Sequence, residues 1–214
     1  MGGPHDLVRA ARDEGVTNER VLEAFRRIRR ERFVPGEWVG QADVDRPIPI
    51  AHGQVTTQPS LVARMIAALR LVGDERVLEV GTGLGFQTAI LAHVAREVVS
   101  IERFADLAEA ARENLAAAGV GNVAVIVGDG TLGAPARAPF DAIVVSAAAP
   151  EVPSPLVDQL REGGRLVFPV GAGGAEDVTA FRKLEGRLVA EQVVVPAHFV
   201  RLVGRFGLPD EERG

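Results

Sequence analysis

The 214-residue chain contains no cysteine. That excludes disulfides, thiolate metal sites and a cysteine nucleophile, and with them methylation of a pyrimidine carbon through a covalent cysteine adduct. Its four histidines, His5, His52, His93 and His198, lie far apart without ligand-like spacing, so no metal site is expected. Positive charge is not in excess either. At a formal net charge of −5 the chain exerts no general attraction on nucleic acid. No apolar run is long enough to cross a bilayer, and Met1-Gly2-Gly3-Pro4-His5-Asp6 lacks the basic and then apolar signature of a signal peptide. A cytoplasmic monomer without a membrane or nucleic-acid partner is the expectation. Repeats and divider-like linkers are missing too, so 1–214 reads as one domain. What is present, 47% hydrophobic and 25% charged residues, is the composition of a soluble protein with a large core.

One stretch organises the rest. Arg76-Val77-Leu78-Glu79-Val80 has strand pattern and runs straight into Gly81-Thr82-Gly83-Leu84-Gly85, after which residues 88–94 have helical spacing. A strand, a glycine turn and a helix form the first half of a βαβ nucleotide-binding unit. Glycine is needed where the chain turns sharply and where a Cβ would hold a ligand off the backbone. The second strand, Val98-Val99-Ser100-Ile101, ends at Glu102, 102 − 85 = 17 residues after the third glycine. A carboxylate there suits ribose hydroxyls. A dinucleotide fingerprint would need glycine at position 86, which is Phe. Glu79-x-Gly81-x-Gly83-x-Gly85 is instead the pattern of S-adenosyl-L-methionine (AdoMet)-dependent methyltransferases, whose ligand has no pyrophosphate. Glu79 is placed to face that ligand's ammonium group. The predicted fold is α/β: a Rossmann-like class I methyltransferase with a mostly parallel seven-stranded sheet and an antiparallel C-terminal hairpin. An N-terminal helical and loop extension (1–72) would cover the site, and 73–204 would form the AdoMet-binding core.

Spacing predicts a helix over 7–12 and a second capped by Thr17 or Asn18, with Val21, Leu22, Phe25 and Ile28 on its apolar face and a stop at Pro35. Arg26, Arg27, Arg29, Arg30 and Arg32 read as a solvated face, in preference to a patch for nucleic acid or an acidic peptide. Residues 38–59 follow no period. They end in Gln54-Val55-Thr56-Thr57-Gln58, two amides and two hydroxyls just ahead of a helix over 61–71. Thr57 or Ser60 can cap that helix, so chemistry alone leaves Thr57 either a cap or a site residue. A helix over 104–118 and a strand over 123–127 follow. Gly128-Asp129-Gly130 sits at that strand's C-terminal end, where Asp129 is placed to accept from an adenine amino group. Then come a strand over 142–146, a helix over 154–161 ended by Gly163-Gly164, and a strand over 165–170. A hairpin (177–184 and 187–195), an extended piece over 199–203 and a frayed tail from 209 complete the chain.

The acceptor class narrows at Ser146-Ala147-Ala148-Ala149-Pro150, which offers no carboxylate or amide to hold an exocyclic amine. An oxygen acceptor of low basicity remains. A carboxylate is ionised at neutral pH, so it needs no general base, only hydrogen bonds that aim one oxygen. Thr56, Thr57 and Gln58 are suited to that.

From about residue 21 to 204 the chain resembles the protein-L-isoaspartate (D-aspartate) O-methyltransferases. The likeness is carried by Arg30-Glu31-Arg32-Phe33-Val34-Pro35, Pro47-Ile48-Pro49-Ile50, Gly53 to Pro59, the glycine motif through Gln87-Thr88-Ala89, Gly128-Asp129-Gly130, Ala138-Pro139-Phe140-Asp141, and Gln159-Leu160 through Gly171. The resemblance implies methylation of the abnormal free carboxylate at damaged Asp and Asn sites in proteins or peptides. The ester cyclises to a succinimide that reopens partly to normal aspartate, which is repair. It also implies roles. Thr57 and Thr56 would orient the acceptor, with Gln54, Val55, Gln58, Phe199 and Val200 around the peptide. Glu79, Gly81, Thr82, Gly83, Gly85, Gln87, Thr88, Glu102, Arg103, Gly128, Asp129 and Gly130 would hold AdoMet and its product S-adenosyl-L-homocysteine. Two departures stand out: Val55 and Thr57 occupy the threonine and serine positions of the family's Gly-Gln-Thr-Ile-Ser loop, and Arg201 replaces proline in its Phe-Val-Pro-Leu. A peptide-specific aspartyl methyltransferase of a biosynthetic pathway and a non-catalytic AdoMet-binding module stay open at this point.

Overall fold

The computed structural model describes residues 4–171 and 174–210. Helices α1 (Pro4–Asp13) and α2 (Glu19–Arg27) form as the apolar spacing requires. Asn18 Oδ1 accepts from the amides of Arg20 and Val21, a cap worth about 1 kcal/mol. Val21, Leu22 and Phe25 are buried, each contributing about 1.5–3 kcal/mol by leaving water. The helix ends at Arg27, well before Pro35, because Arg30–Phe33 tighten into a 3₁₀ turn. That turn carries Arg30 inward to 1% exposure, which corrects its assignment to the solvated face. Arg26 and Arg27 do lie on that face, paired with Glu19 and Glu23.

A small antiparallel ribbon, β1 (Ile48–Pro49) and β2 (Val55–Thr56), sets Ile48 opposite Thr56. Helix α3 (Pro59–Ala68) then starts without a side-chain cap from its N-cap residue Gln58. Asp45 Oδ1, from the preceding loop, accepts the Ser60 amide at 2.8 Å. So neither Thr57 nor Ser60 caps this helix, contrary to the reading from its sequence.

The remaining elements are β3 (Arg76–Val80), α4 (Phe86–Val94), β4 (Glu97–Glu102), α5 (Ala105–Ala117), β5 (Val123–Val127), β6 (Phe140–Val145), α6 (Ser154–Gln159), β7 (Leu160–Val170), β8 (Glu176–Leu184) and β9 (Arg187–Ala197). They build a seven-stranded sheet in the order β5-β4-β3-β6-β7-β8-β9. It is parallel from β5 to β7, with β8 and β9 antiparallel. Strand periodicity splits the core between the two faces. Val77, Val98 and Val144 join a cluster with α1 to α4, while Leu78, Val99 and Ile143 join the cluster on the other side. Helix α6 is shorter and β7 longer than the glycines suggest, since Gly163 and Gly164 lie inside the strand. There the register with β6 shifts, and a Cβ on Gly164 would sit 2.8 Å from the carbonyls of Arg161 and Asp141. Strand order reverses between β3 and β6, which opens a crevice at their C-terminal ends. Among the described residues no helix is long and apolar enough to cross a membrane.

Candidate active site

The crevice is a solvent-open cleft bounded by the glycine turn, the segment from Gln54 to Thr57, Glu102 to Phe104, and Val200 to Val203. Gly81 and Gly83 line it with φ of +95° and +55°, and a Cβ built on Gly83 would lie 3.6 Å from Ile50 Cδ1 on the facing wall. Gly85 serves packing instead: a Cβ there would meet Leu115 and Ala111 of α5.

Glu102 is 6% exposed at the cleft wall. Its Oε2 accepts the Gly83 amide at 2.9 Å and its Oε1 the Phe104 amide at 3.1 Å. Each oxygen retains a lone pair for a ligand hydroxyl. Gln87 also lines the cleft, its Nε2 donating to Glu79 Oε1 (3.1 Å) and Ser146 Oγ (2.9 Å). Gln87 Oε1 is left buried without a partner. A buried acceptor in that condition calls for a donor, and an ammonium group supplies one. The turn, the ribose-type carboxylate and the orphaned amide oxygen therefore fit AdoMet.

Glu79 is placed differently from expectation. It is 0% exposed beneath the turn and takes hydrogen bonds from Thr88 Oγ1 (2.5 Å) and Ser100 Oγ (2.6 Å), with Thr82 bonded in turn to Ser100. Burial pushes its pKa up to about 7 against the bonds from Ser100, Thr88 and Gln87, and the nearby Glu102 charge adds to the rise. Glu79 and Thr88 thus act on the cleft through Gln87 and do not line it.

Of Gly128-Asp129-Gly130, only Gly130 lines the cleft. Asp129 Oδ1 takes the Thr131 amide and hydroxyl (2.9 and 2.6 Å), and Oδ2 takes the Arg205 amide at 2.8 Å. Burial works against its charge, but the Arg205 amide and Thr131 hold its carboxyl below the usual range. Asp129 therefore anchors the C-terminal segment. Arg103 lines the cleft and pairs with Asp210 at 2.5 Å, so the tail is tied down at that point; residues 211–214 lie outside the described ones. Val200 and the exposed Arg201 also line the cleft, whereas the Phe199 amide is bound to Glu176 and its side chain packs against the core cluster.

On the facing wall Gln54, Val55, Thr56 and Thr57 meet the cleft. Thr56 Oγ1 is committed, accepting from the Arg30 guanidinium (2.9 Å) and the Ile48 amide (3.2 Å). Gln58 turns away to Asp45 and Ser60. Four contributors escape sequence reasoning: Arg30, Asp45, Ser146, and His52, which stacks on Phe104 at 4.1 Å and bonds Asp106. Arg30 lay within a stretch already singled out, yet no spacing rule places an arginine in a core.

The family model for protein-L-isoaspartate(D-aspartate) O-methyltransferase matches residues 4–207. A protein-L-isoaspartate O-methyltransferase of Methanoculleus marisnigri is 51% identical over 94% of this chain and 90% of its own. One from Myxococcus xanthus is 45% identical over 89% and 92%. A solved protein-L-isoaspartate O-methyltransferase superposes with a TM-score of 0.83 at 29% identity, over 95% of this chain and 67% of that one. A putative one from Plasmodium falciparum, in complex with S-adenosyl-L-homocysteine, has the same fold at TM-score 0.81 and 22% identity, over 95% and 99%. The chain belongs to the protein-L-isoaspartate (D-aspartate) O-methyltransferase family.

Proposed function

We infer that the protein is an AdoMet-dependent carboxyl O-methyltransferase that esterifies the free carboxylate of L-isoaspartyl residues in proteins or peptides. The observation that supports this most is the shared cleft: a polar hydroxyl and amide segment, Gln54 to Thr57, faces the Gly81–Gly83 turn across it. AdoMet, when bound, supplies a methyl group on a sulfonium, an electrophile that an ionised carboxylate takes without a base. The chain then has two tasks. Glu102 and Gln87 hold the donor by ribose-type and ammonium-type contacts. Thr57, which caps nothing, donates to one carboxylate oxygen and so aims the other. Orientation of this kind is a large part of a displacement barrier. Arg201 lines the same cleft, and in this reading 1–72 cover the site while 73–204 bind the cofactor. The net charge of −5 accords with a protein that has no nucleic-acid partner; a cytoplasmic monomer is part of the same proposal, and light scattering after size exclusion tests its monomeric part.

Incubation with labelled AdoMet and isoaspartyl or aspartyl versions of one peptide, followed by measurement of base-labile methyl ester, tests the reading. Ester on the isoaspartyl form alone is expected. Ester on both would make this a general carboxyl methyltransferase, and ester on neither despite tight AdoMet binding would make it a binding module.

A further inference from the structure

The ribbon carrying Thr56 has two residues per strand, too little to fix its own geometry. We propose that Arg30 and Asp45 form a two-point clamp that presents Thr57 to the acceptor carboxylate. The proposal rests on the role given to Thr57 above.

Arg30 grips one side. Its guanidinium donates to the carbonyls of Ala42 (3.1 Å), Val44 (3.0 Å) and Arg46 (2.9 Å) as well as to Thr56 Oγ1 (2.9 Å). Burial lowers its pKa to about 10, with Asp45 and Asp43 opposing the fall, so it is charged at neutral pH. Among the described residues no carboxylate bonds it directly; carbonyl and hydroxyl dipoles meet the charge. It also lies 5.7 Å from the ring centre of Phe86, the first residue of α4, which ties the grip to the cofactor side.

Asp45 grips the other side. It lies in the loop whose carbonyls Arg30 gathers, and it takes the Gln58 amide group (2.8 Å) and the Ser60 backbone amide (2.8 Å). Thr56 and Gln58 are thereby pinned to separate anchors, and Thr57 stands between them on the cleft wall. A planar fork is needed for four acceptors on one side, which lysine cannot supply. Arg30 and Asp45 are thus positioning residues that need not touch the substrate.

The test is a double-mutant cycle on isoaspartyl-peptide methylation. Asp45→Ala should lower kcat/KM on the order of tenfold while AdoHcy affinity stays within about twofold. In a Thr57→Val background, itself lowered about a hundredfold but measurable with labelled AdoMet, the same change should cost less than about twofold, because what it positions is gone. Asp45→Asn, which keeps an acceptor for Ser60 and donates to Gln58 Oε1 once the Gln58 amide turns over, should restore most of the activity. Arg30→Lys should repeat the pattern; if it does not fold, Asp45→Ala decides alone. An equal loss in both backgrounds, or no loss from Asp45→Ala, overturns the clamp. If Thr57→Val crippled the enzyme while both clamp variants were silent, only the clamp would fall. Full activity in Thr57→Val would instead remove the role of Thr57.

Discussion

The two walls of the cleft are built on different principles. The cofactor wall is local: strand β3, a glycine turn and helix α4 follow one another in sequence, and Glu102 closes the adjacent strand. The acceptor wall is assembled from a distance. Thr56 is held by Arg30 and Gln58 by Asp45, across a stretch of short 3₁₀ turns and a two-residue ribbon. Local walls are cooperative with the sheet and hard to perturb without losing the ligand. The assembled wall has separable anchors, so its geometry can be changed while the donor still binds.

The largest effect is expected from breaking the cofactor wall. Gly83→Val puts a β-branched side chain at φ +55° and projects it toward Ile50 across the cleft. AdoHcy affinity, by calorimetry, should fall at least about a hundredfold with the fold intact by circular dichroism. Near-normal affinity would mean that the ligand does not lie over the turn.

A smaller effect sharpens the comparison from beneath the same wall. Glu79 loses its proton near 4.5 when unfolded but holds it to about 7 when folded. Between those values the folded state binds more protons, so stability falls as pH rises; the contribution is full below 4.5 and lost through about 7. Relative to wild type, the Tm of Glu79→Gln should therefore rise by roughly 5 °C between pH 4.5 and 7. Parallel Tm curves would show Glu79 to titrate normally. The smallest effect is expected at the exposed arginines of α2. Arg27→Ala removes a pair with Glu23 whose partners are both exposed, and should leave kcat/KM and Tm almost unchanged. A marked loss of peptide affinity would instead give that face a partner.

This contrast also explains what the sequence made legible. The glycine turn, Glu102 and the succession of strands along the chain were readable because each depends on neighbours or on a period of two. Where the sequence misled, a distant contact had intervened. Arg30 carries the same letters as a surface arginine, and only the fold brings four acceptors around it. Asp45 takes over the capping that Thr57 or Ser60 would otherwise supply, a substitution across a loop that no local rule anticipates. Glu79 looked like a ligand contact because it adjoins the motif. Its strand position turns it instead into a buried pocket of Thr88, Ser100 and Gln87.

The most direct test separates the two walls at Thr57. Wild type, Thr57→Ser and Thr57→Val would be compared for kcat on an isoaspartyl peptide and for AdoHcy affinity. Thr57→Ser should keep kcat within a few-fold, Thr57→Val should lower it about a hundredfold, and all three should bind AdoHcy alike. Unchanged kcat in Thr57→Val, or AdoHcy affinity falling in step with it, would contradict a hydroxyl that aims the acceptor independently of the donor.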